Sequence, residues 1–153
     1  MTASLDETDR RILSLLQKDA SLSVDQVSEA VHLSRNACWR RIKRLEADGI
    51  LTARVALVDP AKVGCPLTAM VLIRTSIHDA DWTRTFQQTL RGLPEVVGAY
   101  RMTGDLDYVL RVRVADVPAY DAFYKRLTAR ISVSDISASF VMEEIKETTA
   151  VPL

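Results

Sequence analysis

Residues 23–49 read SVDQVSEAVHLSRNACWRRIKRLEADG, and this stretch decides the architecture of the N-terminal half. Ser23 with Gln26 three residues on is a capping box, which satisfies two orphan N–H groups at a helix start. It opens a short helix through Val31, with Val27, Ala30 and Val31 inward. His32-Leu33 make a tight turn. Ser34 then caps a further helix ending before Gly49, a residue suited to the left-handed conformation of a helix stop. Upstream, Asp6 caps a first helix running to about Asp19, with Ile12, Leu15 and Leu16 on one face. Short helix, tight turn, capped helix is helix-turn-helix grammar. Residues 50–58 alternate enough to form a strand or small wing.

The third helix carries the chemistry. With Cys38 at angular zero and about 100° per residue, Ile42 and Leu45 fall at about 40° and 340°, an apolar stripe. Asn36, Lys43, Arg40 and Arg44 fall opposite, at about 160°, 140°, 200° and 240°. Arg35, Trp39 and Arg41 flank the stripe. Arginine can bind guanine in a bidentate manner, asparagine can do so for adenine, and lysine neutralises phosphate. A basic helix face is often only a solvated surface. Here it is capped, follows a tight turn and holds five cations and no acid over residues 34–45, which favours a recognition helix. The expected DNA-contacting set is Ser34, Arg35, Asn36, Trp39, Arg40, Arg41, Lys43 and Arg44.

That local charge is hidden in the totals. The 153 residues hold 20 Lys plus Arg and 20 Asp plus Glu, a net charge of zero. Such a chain is no polyanion binder coated in positive charge, and residues 1–52 are themselves balanced at eight basic and eight acidic groups. With 48% hydrophobic residues the chain is expected to fold. Its most apolar stretch, residues 67–73, is far shorter than the roughly 20 residues of a membrane span. The opening residues show no basic region before an apolar core, so no signal peptide is read. Cys38 and Cys65 form no disulfide framework. The expectation is a cytoplasmic protein with no membrane partner.

Trp39 is the only aromatic residue before position 80, and eight follow, so a second and larger core is expected in the C-terminal portion. Asp59-Pro60 and Gly64-Cys65-Pro66 supply turn chemistry between the halves. The division is a DNA-binding domain over 1–52, a linker over 53–66 and a second domain over 67–153. In the second domain residues 67–76 read as a strand and 79–91 as a helix with Trp82, Phe86 and Leu90 at fourfold spacing. Residues 96–102 read as a strand, 103–107 as a loop, and 108–114 as a strand with Tyr108, Leu110, Val112 and Val114 on one face. A helix follows over 116–130, burying Tyr120, Phe123, Tyr124 and Leu127, and a strand over 137–146. The order βαββαβ is a ferredoxin-like arrangement, making the whole chain α+β. Two helices cover one sheet face. The other, with Val97, Ala99, Val109 and Val141 by alternation, calls for a partner, most simply a second copy of this chain.

The combination resembles the Lrp/AsnC family of feast/famine transcriptional regulators. The resemblance rests on Leu5-Asp6-x-x-Asp9-x-x-Ile12-Leu13, Leu33-Ser34 with Cys38, Arg41-Ile42-Lys43-Arg44-Leu45-Glu46, Gly49-Ile50-Leu51, Gly104-Asp105-Leu106-Asp107-Tyr108 and Val141-Met142-Glu143-Glu144-Ile145. It implies a DNA-binding domain joined to a module that binds an amino acid, with assembly through dimers, often to octamers. Residues 104–108 match the family's effector loop. Gly104 lets backbone N–H groups approach a carboxylate, and Asp105 or Asp107 is able to pair with an α-ammonium; by spacing alone the loop also reads as an ordinary hairpin turn. The resemblance adds Tyr100, Met102, Ser139 and Val141 to the effector set. Residues 101–105 and the tail 148–152 resemble a branch associated with sulfur amino acids, cysteine among them. Arg35-Asn36-Ala37, where many members carry prolines, and the bulky Trp39 are departures, so no operator sequence carries over.

An enzyme reading finds little. His32 and His78 are isolated, with no acid or thiol at ligand spacing, so neither a metal nor a catalytic group is expected, and no cofactor beyond the small-molecule effector. Cys38 reads as a small core residue and Cys65 as a freer thiol. Two alternatives remain: an architectural DNA-wrapping protein without effector control, or a stand-alone amino-acid-binding module, which leaves the cationic helix without purpose.

Overall fold

The computed structural model describes residues 4–153. Met1, Thr2 and Ala3, the start of the stretch read for a signal peptide, lie outside the described residues. The chain forms two compact units, one of residues up to Leu57 together with Lys146–Leu153, the other Val58–Ile145.

The first unit is built on three helices, α1 (Glu7–Lys18), α2 (Val24–Ala30) and α3 (Arg35–Ala47). Each starts where a side chain is able to cap it. Asp6 and Asp9 exchange side-chain-to-backbone bonds across the start of α1, Ser23 and Gln26 do the same for α2, and the Ser34 hydroxyl accepts from the Ala37 N–H. Two residues with positive φ end the helices and set the turns. His32 (φ 57°) makes the bend between α2 and α3. Gly49 (φ 68°) ends α3, with the Ile50 N–H reaching back to the Leu45 carbonyl at 3.0 Å. The core is aliphatic: Ile12, Leu13, Leu16, Val27, Val31, Cys38, Ile42 and Leu45. The stripe Cys38, Ile42, Leu45 is buried as expected. Two inward assignments change. Leu15 is only half-buried while Leu13 is buried, and Ala30 is exposed while Ser28 is buried with its hydroxyl donating to the Asp25 carbonyl at 2.8 Å. That bond is what makes a polar residue tolerable on the inner face.

Residues 52–58 do not form the expected strand. They are exposed, and among the described residues no strand pairs with them, which leaves their backbone groups to water. The tail, Lys146–Leu153, packs with the first unit. Gln17 reads the tail as a neighbouring strand would, its amide donating to the Val151 carbonyl (3.1 Å) and accepting from the Val151 N–H (2.7 Å). Tail and helix border a cleft of about 660 Å³ lined by Leu13, Leu16, Ile50, Leu51, Val151 and Leu153 among others.

The second unit carries β1 (Leu67–Arg74), α4 (Ala80–Arg91), β2 (Val96–Arg101), β3 (Tyr108–Val114), α5 (Val117–Thr128) and β4 (Asp135–Phe140). The strands form one antiparallel sheet in the order β2-β3-β1-β4. This is the βαββαβ arrangement read from the sequence. Trp82 and Phe86 stack at 4.9 Å between centroids, Tyr108 leans on Phe86, and Phe123 and Leu127 complete the core. The Trp82 indole N–H donates to the Ser132 carbonyl at 2.7 Å, so the ring is buried with its polar atom satisfied.

Two strand expectations are corrected. The last strand is Asp135–Phe140, rather than 137–146: its ladder with β1 runs from Arg74↔Asp135 to Ala69↔Phe140 and stops there. The second correction is a register irregularity between Val96 and Gly98, which shifts β2 by one residue. Ala99 therefore pairs with Leu110 on the helix-covered side, and the open face of β2 is Gly98 and Tyr100, opposite Arg111 and Val109. The Tyr100 ring lies over Gly98, where a Cβ would come within 2.8 Å of the phenol oxygen. Among the described residues no helix is long and apolar enough to cross a membrane.

Candidate nucleic-acid interface and effector loop

α3 buries Cys38, Ile42 and Leu45 and turns the rest of its surface outward. Ser34, Arg35, Asn36, Trp39, Arg40, Lys43 and Arg44 are exposed, and Arg41 is half-buried. Trp39 is 49% exposed, a large apolar surface beside the cationic face. Burial pushes the Cys38 thiol up, so this sulfur stays protonated and packs as a small apolar group.

The cations of α3 are not equivalent. Asp9 is 1% exposed and accepts from Arg41 Nη1 at 2.8 Å and from Arg44 Nη2; Arg41 also reaches Asp6 at 2.6 Å. Two carboxylates from the start of α1 thus hold two guanidiniums of α3. The Asp6 carboxyl is held below the usual range, first by the backbone N–H of Asp9 and then by Arg41. Arg35 pairs with Asp25 at 2.9 Å, and Lys43 with Glu46 at 2.7 Å, between exposed or half-exposed side chains. Glu46 also takes Arg54 at 3.0 Å, and the Lys43 ammonium foremost keeps its carboxyl below the usual range. Arg40 and Asn36 have no side-chain partner among the described residues. Asp9, Asp25 and Glu46 were missed in the sequence. Asp9 left a signal: it stands three, four and seven residues before Ile12, Leu13 and Leu16, at core spacing for a helix, where an acid is tolerated only if paired.

The proposed effector residues fall into two groups. Met102, Gly104, Asp105 and Asp107 are brought together by the β2–β3 turn, where the Met102 N–H donates to the Asp107 carbonyl at 2.8 Å. Gly104 has φ +96°, a conformation that demands glycine. The two acids differ. An Asp107 carboxylate oxygen accepts from the Thr75 N–H at 2.8 Å, and its own N–H donates to the Ile73 carbonyl, so it ties the turn to the end of β1. Asp105 is exposed and contributes its carbonyl to Arg74 Nε at 2.8 Å, leaving its carboxylate outward. Arg74 in turn faces Asp135 at 3.4 Å. Tyr100, Ser139 and Val141 belong to the open sheet face instead. Tyr100 stands on edge strand β2 and Ser139 on the opposite edge β4, three strand spacings or about 14 Å apart. Val141 extends β4 by one bond, its N–H on the Thr68 carbonyl at 2.9 Å. Among the described residues no group of three His, Cys, Asp or Glu is placed to hold a metal ion.

A capped recognition-type helix on one unit and a glycine-aspartate turn on an open antiparallel sheet in the other define an effector-type DNA-binding regulator. The comparisons with known proteins agree. Residues 5–52 match the winged helix-turn-helix DNA-binding model and residues 68–151 the Lrp/AsnC ligand binding domain. The chain belongs to the Lrp/AsnC family of transcriptional regulators. It is similar to the DNA-binding transcriptional activator DecR of Escherichia coli, 50% identical over 150 residues that cover 97% of this chain and 99% of that protein. Among solved structures it resembles an AsnC family transcriptional regulator from Agrobacterium tumefaciens (TM-score 0.94, 49% identity, 97% of each chain). It also resembles a Neisseria meningitidis transcriptional regulator solved as an L-Met complex (TM-score 0.93, 36% identity, 97% of each chain).

Proposed function

We propose that this regulator lays α3 in the major groove of double-stranded DNA and responds to an amino acid, cysteine or another sulfur amino acid, at the turn 104–108. The observation that carries the DNA reading is the outward placement of Asn36 and Arg40, free of intramolecular partners among the described residues, on a helix whose opposite stripe is fully packed. Ser34, Arg35, Trp39, Lys43 and the paired Arg41 and Arg44 border them and contact the phosphate backbone. At the effector turn Asp105 pairs with the α-ammonium and the backbone beside Gly104 receives the carboxylate, while Asp107 holds the turn. The L-Met complex of the Neisseria relative supports a sulfur amino acid as ligand class.

The open sheet face, with Met70, Leu72, Tyr100 and Val109, serves self-association, and a dimer presents two copies of α3 to a two-fold DNA site; assembly to octamers is the family's further step. Tyr100, Ser139 and Val141 complete the effector pocket in that assembly. The test is a thermal-shift screen of the amino acids on wild type and Asp105→Ala. Cysteine or methionine raises the melting temperature of the wild type, and Asp105→Ala removes the shift. No stabilisation by any amino acid overturns the effector reading.

A further inference from the structure

The recognition helix carries five cations, yet four face carboxylates of the same unit. These partners are of two kinds. Asp9 is sealed from solvent at 1% exposure, so no phosphate replaces it, and Arg41 and Arg44 go on sharing its single charge whether or not DNA is present. The Arg35–Asp25 side chains are 65% and 63% exposed, and those of Lys43–Glu46 are 55% and 31% exposed. Such pairs are weak and readily exchanged. A DNA phosphate offers the same geometry and charge as a carboxylate, at one charge per roughly 1.7 Å of duplex axis.

We propose that Asp25 and Glu46 are intramolecular stand-ins for phosphate. They hold Arg35 and Lys43 in place in the free protein and give them up to the backbone when DNA arrives, so each sets how strongly and how salt-dependently the chain binds DNA. This rests on the reading of α3 as the DNA-facing helix. Each exchange leaves a solvated carboxylate beside the phosphates, where its repulsion offsets part of the charge that the cation brings. Binding is then weaker and less steeply salt-dependent than five cations would give. Glu46 acts on two cations, because Arg54 shares it at 3.0 Å.

The experiment measures binding of the full chain to a short mixed-sequence duplex across a salt series. Asp25→Asn and Glu46→Gln are compared with Glu29→Gln, which makes the same charge change on α2 at an exposed acid without an α3 partner among the described residues. Calorimetry checks that each variant folds. Asp25→Asn and Glu46→Gln each raise affinity about two- to five-fold at low salt. Each also steepens the slope of log K against log salt, by up to about 0.9. A merely structural ion pair moves the melting temperature and leaves that slope alone. Unchanged slopes in both variants overturn the proposal, as does an equal gain in Glu29→Gln, which makes the effect one of net charge. Arg40→Ala on the same duplex separates the two failures. If it weakens binding while the acid variants change nothing, the stand-in proposal falls alone; if it too is silent, the reading of α3 falls with it.

Discussion

Replacing Asp9 by asparagine keeps the side chain's shape and removes its charge, leaving Arg41 and Arg44 aimed at a neutral amide. Each bond of a charged pair contributes about 1.5–3 kcal/mol. Two such bonds are weakened here, from Arg41 Nη1 and Arg44 Nη2. Against that, the two arginine side chains retain 30% and 50% exposure, so water recovers part of their charge, and the asparagine carbonyl still accepts one bond. The capping bond from the Asp6 N–H, already long at 3.3 Å, costs little. The net loss is about 2 kcal/mol, below the 3–5 kcal/mol of breaking a fully buried ion pair. For a unit of this size that lowers its melting temperature by roughly 8–16 °C, read by calorimetry. A shift under about 2 °C would refute the claim that the buried carboxylate clamps α1 to α3.

Phe123, fully buried under the sheet, should cost about 3–5 kcal/mol on truncation to alanine, measured by urea unfolding. Asp6 titrates below its unfolded value, near 3.9, so the folded chain binds fewer protons there; its contribution is complete above that value and lost as pH falls through the folded one. The melting temperature should therefore drop as the pH falls below about 4, less so in Asp6→Asn. Light scattering should find the chain at least dimeric, and a monomer at micromolar concentration refutes self-association through the open sheet face.

What the sequence made legible was local. Asp6, Ser23 and Ser34 cap their helices through bonds spanning three residues, so each start is written within a few letters. The stripe Cys38, Ile42, Leu45 follows from helical periodicity alone, and Tyr108, Leu110, Val112, Val114 from strand alternation. What was not legible depends on partners distant in the chain. The irregularity at Val97 exists only against β3, the bounds of β4 are set by its pairing with β1, and the tail docks on Gln17 from 134 residues away. The charge of α3 shows the same limit. Angular arithmetic turns three cations and Asn36 away from the stripe and leaves Arg35 and Arg41 at its flanks, but the acids that answer these cations come largely from α1 and α2, so only the fold distinguishes Arg40 from Arg41 and Arg44.

Arg40 therefore tests the account most directly. The measurement is a DNA shift assay with Arg40→Ala, using a duplex selected from random sequence by the wild-type chain and monitoring folding by circular dichroism. The account predicts an unchanged fold and binding weakened at least tenfold, since a bidentate base contact is worth about 1–3 kcal/mol on each of two helices. A folded Arg40→Ala chain that binds the selected duplex as tightly as wild type would contradict it.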